Sequence, residues 1–164
     1  MIFGMTTFTF IHVVLSLIGI VAGFVAMAGL LASKWRDGWT AVFLAATVAT
    51  SVTGFGFPLT KLLPSHMVGI ISLVVLAVAL FALYGRHLSG VWRSIYVVTA
   101  MIALYLNVFV LIVQAFLKIA PLKALAPTQS ELPFVAAQGA ALVFFVIVTI
   151  VAVMRFRPAT ARMA

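Results

Sequence analysis

The chain has 164 residues, of which 66% are hydrophobic and 7% are charged, and its mean hydropathy is +1.34. Because roughly a quarter of the residues in a soluble domain are charged, this composition excludes an ordinary water-soluble fold. The net charge of +8 does not indicate nucleic-acid binding, since the basic residues lie between and after apolar runs rather than on one water-facing surface. The chain has no cysteine, which excludes disulfides, thiolate metal sites and cysteine nucleophiles.

Five apolar runs predict an all-α integral membrane protein, because a helical span needs about 20 apolar residues. Runs such as Val68–Leu80 are apolar on every face, unlike the alternating strands of a membrane β-barrel. Charged residues, glycines and prolines separate the runs, and irregular backbone of that kind belongs outside the hydrocarbon. The predicted spans form a compact bundle and a single domain over residues 1–164, and they are Phe8–Leu31, Trp39–Phe57, His66–Tyr84, Val91–Leu117 and Phe134–Met154.

The basic residues are divided unevenly between the two sides of such a bundle. By the positive-inside rule, the richer side is cytoplasmic, which places the N-terminus outside and the C-terminus in the cytoplasm. The cytoplasmic set is Lys34, Arg36, Arg86, Arg93, Arg155, Arg157 and Arg162, and the outer set is Lys61, Lys118 and Lys123. The long outer connection, residues 118–133, contains three prolines and favours a short structured cap or re-entrant segment, with a plain linker as the alternative.

The first span carries small and polar residues on one helix face. His12, Ser16, Gly19 and Gly23 recur at steps of four and three, which places them on the same side of a helix. Gly19 and Gly23 also form a GxxxG motif, and small residues allow helix backbones to approach closely in lipid. This face is therefore predicted to contact neighbouring helices.

Several polar residues of the spans are predicted to lie at a common depth. Counting residues from the middle of each span places His12, Gln114 and Gln138 on the outer side of the bundle. Ser51 and Thr53 of the second span, together with His66, fall at or just above that level, and Asn107 lies nearer the midplane. The sequence thus predicts a ligand-binding cluster in the outer half of the bundle, made of His12, Ser51, His66, Asn107, Gln114 and Gln138. Interhelical hydrogen bonding without a ligand is the alternative.

These residues fit more than one ligand. His12 and His66 are the two histidines on the outer side, so they are candidate axial ligands for the iron of a b-type haem. The same side chains could hydrogen-bond a quinone headgroup, and the sequence does not separate the two. Catalysis is not favoured, because Ser16 lies one turn from His12 without a carboxylate on that helix.

The leading prediction is a non-enzymatic binding or accessory subunit that holds a haem, a quinone or a partner helix. The alternative is a small transporter or channel that opens to the periplasm, although both acidic residues, Asp37 and Glu131, lie in connections rather than in spans. The expected partners are the lipid bilayer and either other membrane subunits or a second copy of the chain, with no nucleic acid.

Three segments carry a resemblance to a known family. The runs Tyr105–Phe116, Ala126–Glu131 and Leu63–Gly69 resemble a family of small proteobacterial inner-membrane proteins without a known activity, over nearly the whole chain. The resemblance implies a multi-pass protein of the bacterial inner membrane, and it implies no site residue.

Overall fold

The computed structural model describes residues 6–57 and 64–157, and every regular element in these ranges is a helix. A π-helical turn, Phe81–Gly85, continues the third helix. The helices are α1 (Thr7–Leu31), α2 (Asp37–Gly54), α3 (Pro64–Leu80), α4 (Trp92–Lys118), α5 (Ala120–Leu125) and α6 (Leu132–Arg155). The prediction of an all-helical fold is confirmed for the described residues.

Four of the described helices are long and apolar enough to cross a membrane, namely α1, α3 with its π-helical turn, α4 and α6. The remaining long helix, α2, has 18 residues and begins with Asp37. Four threonines, Thr40, Thr47, Thr50 and Thr53, further lower its apolarity. That α2 forms a fifth span stays a prediction.

A tight turn joins α1 to α2 and makes them antiparallel. Ser33 adopts a positive φ of 51°, and the Lys34 N–H donates back to the Gly29 carbonyl at 2.8 Å. A Cβ atom at Gly29 would lie only 2.7 Å from the Lys34 carbonyl oxygen. Glycine is therefore required at this position, because the returning backbone occupies the space of a side chain.

The GxxxG face of α1 packs against α2 and α4, which confirms the predicted role of its glycines. A Cβ atom at Gly23 would lie 2.5 Å from Leu104 Cδ1 and 2.9 Å from Phe43 Cδ2. Gly19 approaches the Thr47 side chain in the same way, at 3.3 Å. Consecutive long helices are antiparallel neighbours, and α6 packs against α4 and α1.

The bundle has two chemically different ends. The end where α1, α3 and α6 finish and α2 and α4 begin is called here the basic end. The opposite end, where α1 and α6 begin, is called the histidine end. The described cations of the basic end are Lys34, Arg36, Arg86, Arg93, Arg155 and Arg157. Lys118 and Lys123 lie at the histidine end, whereas Lys61 and Arg162 lie outside the described residues.

Aromatic and charged contacts close the basic end. The Trp35 ring centroid lies 5.8 Å from that of Tyr96 and 5.7 Å from that of Phe156. Arg93, in the first turn of α4, donates to the Val153 carbonyl at 2.8 Å and also to the carbonyl of Phe156. A cation at a helix C-terminus satisfies carbonyls that have no intrahelical partner and complements the helix dipole. Arg93 thereby fixes the last turn of α6.

At the histidine end, the connection predicted as a cap or re-entrant segment contains the six-residue helix α5. A turn follows in which the Glu131 carboxylate accepts from the Thr128 hydroxyl at 2.8 Å and from the backbone N–H of Ser130 at 3.1 Å. Gln129 reaches back to α4 and donates to the Val113 carbonyl at 2.9 Å. These bonds give the connection a defined structure against the end of α4.

Candidate functional site

His12 and Thr53 form the polar contact that joins α1 to α2 at the histidine end. The His12 Nδ1 atom lies 2.9 Å from the Thr53 Oγ1 atom, and the Thr53 hydroxyl donates to the Ala49 carbonyl at 2.7 Å. A threonine hydroxyl has one proton, and here the carbonyl receives it. The hydrogen-bond network therefore assigns the proton of this contact to His12 Nδ1, and in the neutral ring Nε2 carries the lone pair.

Aromatic side chains hold the His12 ring on one side. The Phe57 ring stands at 88° to it with the centroids 5.1 Å apart, and Phe8 packs against Phe57 at the same centroid distance. Gly54 presents no side chain to the ring, since even an added Cβ atom would lie 3.8 Å from His12 Cε1. His12 is half-buried, so its ring is oriented by its neighbours and remains partly open.

His66 and Ser51 lie at a different interface, between α2 and α3. His66 is 3% exposed, and its ring centroid lies 6.1 Å from that of Phe55. The backbone at Gly69, one turn further along α3, packs against Phe55 and the Ser51 carbonyl. Because α2 lies between α1 and α3, His12 and His66 contact different residues at the end of α2.

Asn107 lies deeper, near the middle of the bundle. Its Nδ2 atom donates to the Thr47 hydroxyl at 3.1 Å, and both side chains are buried. The backbone of α1 closes over this pair at Gly19, where an added Cβ atom would lie 3.3 Å from Thr47 Oγ1. The contact joins three helices and has no room for a ligand on the side of Gly19.

The two predicted glutamines lie on α4 and α6. Gln138 donates from Nε2 to the Phe109 carbonyl at 3.2 Å. Its Oε1 atom is buried and has no hydrogen-bond partner among the described residues. Gln114 is half-buried on α4. Within the described residues, Gln138 thus makes a helix-to-helix contact that is separate from that of His12.

The structure distributes the predicted residues over separate contacts, and hydrogen bonds form the contacts His12–Thr53, Asn107–Thr47 and Gln138–Phe109. The sequence placed Thr53 at the level of the predicted cluster without predicting it as a ligand-binding residue, and the structure brings it into contact with His12. The part of the chain that the structure describes contains no group of three His, Cys, Asp or Glu side chains able to hold a metal ion. In the His12–Thr53 contact, Nε2 is the ring atom of neutral His12 that keeps a lone pair.

Comparison with the models of known protein families, with curated proteins and with solved structures finds no match to this chain.

Proposed function

We propose that the chain is a multi-pass protein of the bacterial inner membrane, with five spans and the basic end in the cytoplasm. Four apolar helices support membrane insertion. The proposed fifth span is α2. This helix contacts α1 along its whole length, from Arg36 beside Gly29 to Thr53 beside His12, so α2 lies at the same depth as α1. The concentration of cations at the basic end supports the orientation through the positive-inside rule.

We infer that the protein is a non-enzymatic binding or accessory subunit, with its ligand held by Nε2 of His12. The observation that carries this inference is the chain of hydrogen bonds from His12 Nδ1 to Thr53 and from Thr53 to the Ala49 carbonyl. This arrangement fixes the ring and its tautomer and leaves one acceptor atom for a ligand. An ionisable residue within a membrane span is rare and marks a functional site by default.

The chemistry of Nε2 favours a ligand that donates a hydrogen bond. A lipid-soluble quinol carries hydroxyl donors, whereas the oxidised quinone presents carbonyl oxygens, which are acceptors like Nε2 itself. The reduced form is therefore the better match for neutral His12. The aromatic rings of Phe8 and Phe57 supply an apolar edge for a ring-shaped headgroup.

A b-type haem is the second ligand that this tautomer supports. Histidines that bind metal ions usually donate the other ring N–H to an acceptor, as His12 does to Thr53. His66 contacts the opposite interface of α2, against Phe55, so a haem at His12 is expected to take one histidine from this chain rather than the pair.

The experiment that tests the site compares ligands and variants of the purified protein in detergent. We expect reduced quinol to bind more tightly than its oxidised form, and His12→Ala to lose this binding. His87→Ala is the control, because His87 is exposed at the basic end. Equal quinol affinity in His12→Ala and wild type would show that His12 does not bind the quinol. A Soret band that shifts on reduction and is absent from His12→Ala would instead assign haem.

Transport is the second candidate function, and buried polar residues along α2 favour it. Thr40, Thr47 and Ser51 are all buried, and Thr40 shares a side-chain hydrogen bond with Tyr96 at the basic end. Thr40 and Thr47 are about 10 Å apart along the helix axis. Between them, Phe43 packs tightly with Leu104 against Gly23, which interrupts a polar path.

Proteoliposomes separate the two functions. A binding subunit leaves proton and ion flux at the level of protein-free vesicles. Flux that rises with the amount of wild-type protein, and falls when Thr47 is replaced by Val, would favour the transporter instead.

A further inference from the structure

The Thr50 hydroxyl lacks the hydrogen bond that other threonines of the long helices make. The hydroxyls of Thr99 and Thr149 donate to the carbonyl oxygens four residues earlier in their own helices, at 2.7 Å and 2.6 Å. The Thr50 Oγ1 atom is buried and has no hydrogen-bond partner among the described residues. A buried hydroxyl without a partner is costly in an apolar environment. A polar ligand at Thr50 would therefore stabilise the fold.

Ser16 of α1 lies opposite Thr50 of α2. The two helices are antiparallel, and the backbone of Gly19 packs against Thr47, where an added Cβ atom would lie 3.3 Å from Thr47 Oγ1. Ser16 is three residues before Gly19, and Thr50 is three residues after Thr47. Because a helix rises about 1.5 Å per residue, Ser16 and Thr50 lie at the same depth. Ser16 also shares the helix face of Gly19, so its side chain is directed toward α2.

Ser72 of α3 lies at this depth as well. The backbone at Gly69 sets the position of α3 against α2, since an added Cβ atom would lie 3.3 Å from the Phe55 ring and 3.9 Å from the Ser51 carbonyl oxygen. Ser72 follows Gly69 by three residues in a helix antiparallel to α2, which brings it to the level of Thr50. Ser72 is 3% exposed, so its hydroxyl lies inside the bundle.

The hydrogen bond between Asn107 and Thr47 lies about one turn from this level, toward the basic end. Asn107 keeps 7% of its surface accessible to water, whereas Thr47 keeps none. One turn further toward the basic end, Phe43 and Leu104 close against Gly23. The three hydroxyls thus lie next to an accessible amide, and apolar packing follows beyond it.

We propose that Ser16, Thr50 and Ser72 bind internal water in the half of the bundle at the histidine end. A buried water needs two to four polar partners, and here three helices each supply a hydroxyl. Neutral hydroxyls favour water over a metal cation, because the two carboxylates of the chain, Asp37 and Glu131, lie at the ends of the bundle. The water would join α1, α2 and α3. This site goes beyond the binding function proposed for His12 and does not depend on it.

The direct test is NMR of the ¹⁵N-labelled full chain in detergent micelles, without added quinol or haem. Internal water should give cross-peaks at the water frequency to the amide protons of Ser16, Thr50 and Ser72. Thr149 is the internal control, because its half-buried hydroxyl donates to its own helix, and exchange of a hydroxyl proton alone would give a cross-peak there too. Missing cross-peaks at the three positions, or an equal one at Thr149, would overturn the proposal.

Thr50→Val tests the energetics, because valine keeps the shape of the side chain and removes its hydroxyl. We expect Tm to fall by about 2–4 °C, the shift for one hydrogen bond in a chain of this size. Thr99→Val is the matched control. Its acceptor carbonyl keeps the backbone bond of the helix, so its Tm should stay close to that of wild type. A higher Tm in Thr50→Val would overturn the proposal, since it would show that the hydroxyl is buried without water.

A double-mutant cycle of Thr50→Val with Ser72→Ala tests whether the same water joins the two side chains. The effects on Tm should be less than additive, because the first change already removes a partner of the water. Coupling without water cross-peaks would overturn the proposal in favour of a direct hydrogen bond. His12→Ala should keep the cross-peaks, so loss of quinol binding in that variant is distinguishable from loss of the water.

Discussion

The Asn107 side chain donates a hydrogen bond of 3.1 Å to the Thr47 hydroxyl, sixty residues away in the chain. Both residues are buried, and the contact joins α4 to α2 in the middle of the bundle. A hydrogen bond at this depth specifies the rotation of both helices, because any other rotation would leave an amide or a hydroxyl without a partner in an apolar environment.

Replacing Asn107 with Leu is expected to destabilise the protein, and combining it with Thr47→Val should cost less than the sum of the single changes. The coupling should be about 0.6 kcal/mol, the average for interhelical hydrogen bonds in membranes, and at most about 1.7 kcal/mol. A double-mutant cycle of unfolding in mixed micelles measures it. Strict additivity would show that the two side chains do not stabilise each other.

Gly23→Ala is expected to destabilise the bundle by about 1–3 kcal/mol, the usual cost of overpacking. The new methyl group would lie 2.5 Å from Leu104 and 2.9 Å from Phe43, and both of these side chains are fully buried. Gly139→Ala on α6 is the control, because a Cβ atom there meets nothing within 4 Å. The control should be neutral or stabilising by up to about 1 kcal/mol. Thermal unfolding compares them, and equal shifts would contradict the packing argument.

Arg93→Met should loosen the last turn of α6, because the carbonyls of Val153 and Phe156 lose a charged donor. Hydrogen bonds to charged groups contribute about 1.5–3 kcal/mol, so amide exchange in residues 152–156 should become faster. Arg155→Met, at an exposed position of the same turn, should leave the exchange close to that of wild type. Similar acceleration in both variants would mean that charge near the helix end matters rather than the specific contact.

Glu131 is expected to make the turn before α6 sensitive to acid. Partial desolvation opposes ionisation of the Glu131 carboxyl group. Hydrogen bonds outweigh this effect and lower the pKa of Glu131 below 4.5. Their donors are the Thr128 hydroxyl and the backbone N–H groups of Thr128 and Ser130. A carboxylate with a lowered pKa stabilises the folded state above its unfolded pKa, and this contribution is lost as the pH falls through the folded value.

Amide exchange or NMR of residues 128–131 between pH 6 and about pH 2 measures this effect. The turn should open at the acidic end of the range, and Glu131→Gln should remove the dependence on pH. A turn that opens at the same pH in this variant would assign the effect to another group.

The orientation can be tested in this naturally cysteine-free chain. Ser89→Cys at the basic end and Ala124→Cys in α5 are exposed positions. In intact cells a membrane-impermeant thiol reagent should label the Ala124 variant, whereas the Ser89 variant should require permeabilised cells. Labelling of both from the outside would contradict an arrangement with five spans.

Much of the architecture could be predicted from local pattern alone. Hydrophobic runs of membrane length fix the position of helices, so the predicted segments begin and end close to the observed ones, with α2 ending at Gly54 instead of Phe57. Helical periodicity placed Gly19 and Gly23 on the contact face of α1. Because the connections are short, the order of the spans also predicted which cations lie at each end of the bundle. These features depend on residues that are close in sequence, so a single sequence is sufficient to predict them.

The partners of the polar residues were decided by the tertiary structure. Depth along a helix follows from counting residues, so His12, Gln138 and His66 could be assigned to the same outer region. Their neighbours depend on the order and rotation of the helices, which the close packing at Gly23 and Gly29 determines. Because α2 lies between α1 and α3, His12 binds Thr53 and His66 packs on Phe55. Side chains at the same depth are thereby held at separate interfaces.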